Sequence, residues 1–283
     1  MPAPLFLLPL LAQVGPFAAP APAPLEIPKK KTAVVSKSAA AAPNPVARRL
    51  GECLDLAQSN PADAAIVARG WREGTKGSAR VPAGHCLGLA LSNQADWAGA
   101  EAAFLEAQLD TSATDRADRA RLGTMAANAA LAAGAADRAL GLLDTAQGEA
   151  KAAADSRLSA EIAIDRARAL VALKRDGEAA AALAEARTAA PDNAAAWLLS
   201  ATLQRRQSKL GEAQAMIEKA AALAPLDPDI GLEAGVIAVL GGRDAAARRS
   251  WRSVIAAASG SDQARTAQQY LDQLGPDTAP STR

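Results

Sequence analysis

Cys53 and Cys86 are the chain's two cysteines, and His85, its one histidine, stands next to the second. Three chemistries use such residues: a disulfide, a metal site, and a thiolate nucleophile activated by imidazole. A transition-metal site needs three or four nitrogen or sulfur ligands, so these residues are too few for one. Adjacent residues of a helix point about 100° apart, which keeps His85 out of hydrogen-bond reach of its neighbour's thiol. No Gly-rich phosphate loop, H-E-x-x-H, G-x-S-x-G or C-x-x-C is present. Asp227 and Asp229 in "PLDPD" are too few carboxylates for a calcium loop. The expectation is a protein that is not an enzyme and holds no cofactor.

The two cysteines stand instead in the same segment written twice, "GECLDLAQSN" from Gly51 and "GHCLGLALSN" from Gly84. Cysteines, leucines and the closing asparagines all match at a constant offset of 33 (86 − 53), and Trp71 meets Phe104 at the same offset. Equivalent positions on neighbouring stacked helices lie about 8 to 10 Å apart, further than the roughly 4.4 to 6.8 Å of bridged Cα atoms. The sequence therefore favours two reduced, packed thiols, with a disulfide as the alternative that an oxidising compartment would promote.

The elements that carry these segments are helical. Half of the 283 residues are hydrophobic and 3% are aromatic, so the interior must be built from Ala, Leu and Val. Ala costs no side-chain entropy in a helix, and the expected fold class is all-α. With 31 Lys+Arg against 30 Asp+Glu the net charge is +1, which gives no field to hold a nucleic acid.

A pattern related to this duplicated segment runs on. A small residue is followed twelve positions later by Ala, then after four by a large apolar residue, then after three by another small one. The sets are Gly88, Ala100, Phe104, Ala107; Ala127, Ala139, Leu143, Ala146; Ala167, Ala179, Leu183, Ala186; Ala201, Ala213, Ile217, Ala220; and Gly235, Ala247, Trp251, Val254. Gly134, Gly242 and the pairs Asp176-Gly177 and Leu210-Gly211 are expected at the turns between paired helices. Small residues mark close backbone approach, and large ones fill the space between units. One hairpin cannot bury its apolar face, so the units must stack.

This unit resembles the tetratricopeptide repeat, in which W-x2-L-G-x2-Y, A-x3-F and P recur with a period of about 34 residues. The best copy holds Trp197, Ala201, Ala213, Ile217, Ala220 and Pro225, and Pro191 precedes Pro225 by 34. The resemblance implies a right-handed superhelical solenoid of about six such repeats with a capping C-terminal helix around Ala264–Leu274. The offset from Ala100 to Ala139 is 39 (139 − 100) and from Ala139 to Ala179 it is 40 (179 − 139). The middle units therefore carry additional chain near "DRADR" and "ADSRLS", expected as longer helices. The first unit is expected to be degenerate.

Residues 1–25 are expected as a signal peptide, on the apolar run Leu5–Leu11 and the small residues Ala18 and Ala19. Residues 26–46 read as a Pro/Ala/Lys-rich tether, 47–275 as the repeat domain and 276–283 as a tail. The apolar run is too short to span a bilayer. The expected location is periplasmic or secreted, as of a bacterial exported protein, with the cytoplasm as the alternative.

The resemblance further implies a concave groove that takes a peptide or protein partner. Helical phase puts Asn60, His85, Leu89, Asn93, Arg121, Asn128, Arg168, Thr202, Arg205 and Arg206 on its inner face. Amides with several Arg suit a peptide bearing carboxylates and main-chain groups. The expected function is thus a scaffold for protein interaction. The alternative is a structural or assembly subunit of a cell-envelope complex, held through its convex face or tether.

Overall fold

A computed structural model describes residues 44–276. The signal peptide, most of the tether and the tail expected from the sequence lie outside these residues. Among the described residues all regular structure is helical, in two compact units divided between Ala190 and Pro191.

The first unit holds α1 (Pro45–Ser59), α2 (Pro61–Glu73), a 3-10 turn at Gly77–Arg80, α3 (Val81–Asn93), α4 (Trp97–Asp110), α5 (Arg116–Ala132), α6 (Ala136–Ala152), α7 (Ser156–Ala172) and α8 (Asp176–Ala189). The second holds α9 (Ala194–Arg206), α10 (Leu210–Leu223), α11 (Pro228–Leu240), α12 (Asp244–Ala257) and α13 (Asp262–Leu274). Within each unit consecutive helices pack as antiparallel hairpins, and first helices also meet one another: α1 with α3, α5 with α7, α9 with α11.

Start signals are local. The side chains of Asn44, Asn60, Asp96, Asp155, Asn193, Asp227 and Ser261 accept hydrogen bonds from first-turn amides, which satisfies donors that a helix start leaves open. Pro45, Pro61 and Pro228 occupy first positions where no amide is missed. The expected extra length of the middle units is helical: α5, α6 and α7 have 17 residues each. Across this added length Arg116 and Arg119 reach Glu149 at 2.8 and 3.0 Å, and these two guanidinium groups, Arg119 foremost, lower the Glu149 carboxyl below its ordinary range.

The interior follows the small-and-large rule. A Cβ on Gly88 would overlap the Phe104 ring, and one on Gly235 would overlap the Trp251 indole. Leu143, Leu183 and Ile217, the large members of three other sets, are fully buried. Such contacts at close range let alanine-rich helices form a dense core.

The turns correct one expectation. Six of them share one backbone, in which the amide of residue i donates to the carbonyl of i − 5, as from Asp96 to Leu91 and from Arg175 to Leu170. The residue before that donor is left-handed: Ala95, Gly134, Ala154, Lys174, Ser208 and Gly242. Gly134 and Gly242 serve as expected, but Gly177 and Gly211 are the second residues of α8 and α10, and Lys174 and Ser208 take the strained place. An L side chain there crowds its own carbonyl. Lys174→Gly is therefore expected to stabilise the chain by about 0.5 to 1 kcal/mol after the entropy that glycine gains on unfolding, seen as a raised urea midpoint.

At the far end Arg248 donates to the carbonyls of Leu274, Gly275 and Pro276 at 3.2, 2.5 and 3.0 Å. These bonds satisfy acceptors at the end of α13, which stops at a left-handed Gly275.

Candidate peptide-binding surface

The first helices carry most of the residues singled out in the sequence, and the structure sorts them into three groups. Asn60 is not on a helix face. It is the N-cap of α2, accepting from the Asp63 amide at 3.3 Å and donating to its carboxylate at 2.7 Å. Leu89 on α3 is half-buried against the core of α1–α5, and Thr202 on α9 is half-buried. His85 is half-buried too, its ring tilted against Phe104 at 6.5 Å between centroids. Burial pushes the imidazole below its ordinary 6.5, while the Asp118 carboxylate pulls it back up. Burial therefore favours the neutral ring in the folded chain. Its share of stability is present above 6.5 and is lost as pH falls through the folded value.

A second group makes a polar strip across α5 and α7. Arg121 bridges Asp118 at 2.9 Å and Asp155 at 3.2 Å. Asn128 donates to one oxygen of Asp165 at 2.9 Å, and Arg168 pairs with the other. Arg121, Asn128 and Arg168 are exposed, while Asp165 beneath them is buried. The strip thus presents cationic and amide donors over an anchored carboxylate. Because a guanidinium has five donors, each arginine keeps donors to offer an incoming carboxylate or main-chain carbonyl.

The third group ties repeats together. Arg205 is a correction in this sense: it is 5% exposed, and its guanidinium grips Glu233 of α11 through two bonds of 2.7 and 2.9 Å. The guanidinium is thus turned inside the second unit, and Arg206 alone of that pair is exposed. Asn93 donates to the Ala57 carbonyl at 2.8 Å, across α1 and α3.

The cysteines are corrected as well. Cys53 and Cys86 form a disulfide, with Cα atoms 6.1 Å apart. The helix spacing that argued against a bond is measured between helix axes; here the two residues lie on the facing sides of α1 and α3, inside that distance. Cys86, Asp165 and Glu233 each stand two residues before the small residue of their repeat, at Gly88, Ala167 and Gly235. From that one position each reaches back to the preceding or neighbouring first helix, by a covalent bond, a charge-assisted hydrogen bond and a buried ion pair.

Asp165 and Glu233 were not among the residues singled out from sequence. Their signal was available: each is an acid following an isoleucine or leucine in a helix, and their offset of 68 (233 − 165) is twice the 34 that separates Pro191 from Pro225. No helix among the described residues is long and apolar enough to cross a membrane.

No family model matches the chain, and no curated protein matches its sequence. Solved structures do share its fold. A structure from the functional characterisation of PilF of Pseudomonas aeruginosa is 12% identical at a TM-score of 0.58, over 81% of this chain and 100% of that one. The apo form of the quorum sensor NprR from B. thuringiensis is 12% identical at 0.57, over 80% and 69%. BtubC from P. vanneervenii is 16% identical at 0.54, over 84% and 94%. Together with the stacked hairpins, these likenesses establish the fold as a tetratricopeptide-repeat solenoid.

Proposed function

We propose that this chain, a tetratricopeptide-repeat solenoid by fold, is a non-enzymatic scaffold that binds a peptide or protein segment along the first-helix face of residues 44–190. The observation that carries this is the strip of Arg121, Asn128 and Arg168, exposed donors held in place by Asp118, Asp155 and Asp165. Donors fixed by their own partners lose little freedom on binding. Cys86 supports the non-enzymatic reading, since a disulfide leaves it no thiolate. The same bond supports an exported, oxidising location, in keeping with a signal peptide at residues 1–25.

A structural-subunit reading has one observation in its favour. Ile66 on α2 and Leu109 on α4 are 66% and 78% exposed, on the helices that follow the first helix of each hairpin. Selection of a displayed random-peptide library on the full chain separates the two readings. Enriched peptides should bind Arg121→Ala/Arg168→Ala at least tenfold more weakly and Ile66→Ser/Leu109→Ser unchanged. A library that yields no binder, or binders lost only in the second variant, overturns the groove reading.

A further inference from the structure

We infer that the Cys53–Cys86 disulfide is a redox latch that holds the first helix, α1, against α3, and that its reduction releases α1 while the rest of residues 44–190 stays folded.

The inference rests on how little else fastens this helix. α1 has two buried residues, Cys53 and Ala57, where α3 has seven and α7 has ten. One of the two is half of the latch. Leu50, Leu54 and Leu56 are only partly buried against the core. The remaining ties are the Asn93 bond to the Ala57 carbonyl and the Arg49 guanidinium lying 4.4 Å above the Trp71 ring. Among the described residues α1 meets one other first helix, α3. A helix of 15 residues is marginal when undocked.

The bond joins residues 33 apart in the chain, and the loop it closes confines α1 near its seat even when side-chain contacts open. A dithiol reductant removes that restraint. Both cysteines are buried, so attack follows a local opening of α1: the reductant's thiolate then attacks Sγ of Cys53, and Cys86 leaves as a thiolate that takes a proton. The reductant's second thiol then displaces Cys53, giving two cysteine thiols and the oxidised, disulfide form of the reductant. Release uncovers the face of α3 that carries Cys86 and Asn93, on the same helix as His85 and Leu89. Redox state would thereby alter one end of the first-helix surface, although the latch itself does not depend on what that surface binds.

Hydrogen exchange of the full chain, read by mass spectrometry with and without dithiothreitol, tests this. Protection of α1 amides should fall roughly a hundredfold on reduction, with that of α5–α8 unchanged. Cys53→Ser without reductant should reproduce the reduced pattern, and the reduced wild-type chain supplies the reading if that variant does not fold. Unchanged α1 protection overturns the latch, as does loss of protection throughout residues 44–190, which would make the bond a general staple. Two reactive thiols in the unreduced, unfolded protein also overturn it.

Discussion

Replacing Arg205 with methionine should cost about 3 to 5 kcal/mol, the penalty for stranding a buried charge, read as a fall in the urea midpoint. The side chains of Arg205 and Glu233 are 3% and 1% exposed, so water reaches neither. Together they satisfy one another through two parallel hydrogen bonds. Apart, the carboxylate has lost its solvent and gained no partner. The companion result is what identifies the cause: Arg205→Met/Glu233→Leu should recover most of the loss, because the cost lies in the unpaired charge and not in the missing pair. Tyr270 offers a local reporter. Burial raises its hydroxyl above the ordinary value, Arg205 opposes this and Glu233 adds to it, so the single variant should push the tyrosine titration higher still.

Trp251→Ala should cost a similar amount, about 3 to 5 kcal/mol, through the cavity it leaves. The indole is 2% exposed, sits against the bare backbone of Gly235, and donates from Nε1 to the Leu232 carbonyl at 3.3 Å. Its ring also meets Tyr270 at 5.2 Å. Collapse cannot refill the space readily, because Gly235 has no side chain to move into it. The reciprocal change, Gly235→Val, should fail by overlap instead: the new Cβ would lie inside the indole, which must leave its seat. Calorimetric unfolding of both variants checks this, and an unaffected transition in either would contradict the packing described.

The small-to-large pairing that makes Trp251 costly to lose was legible in the sequence, because it repeats. Gly88 with Phe104 and Gly235 with Trp251 stand at the same offset (104 − 88 = 251 − 235), and a spacing recurring through the chain reports a contact that no single copy would. The length of α5, α6 and α7 was legible for the same reason. Turn residues were less so. Six turns adopt one backbone whether or not glycine is there, since the helices on either side impose it, and Lys174 and Ser208 accept the strain. The candidate surface was half legible. Helical phase finds Arg121, Asn128 and Arg168, but it is blind to the acids that hold them, since Asp165 reaches Asn128 from 37 residues away. Arg205 shows the opposite failure: phase placed it on a face that the folded chain buries against Glu233. The disulfide stood only as the alternative reading because an average helix spacing replaced the geometry of two facing side chains.

The ties at Cys86, Asp165 and Glu233 give the chain joints of different chemistry. A reductant parts the first. The second is a hydrogen bond from the neutral Asn128 amide, which salt screens little, and Arg168, the charged partner of Asp165, lies on the same helix. The third is an ion pair sealed from water. In a stack of nearly interchangeable modules every joint would answer alike; here one of the three is covalent and is addressed by redox chemistry alone.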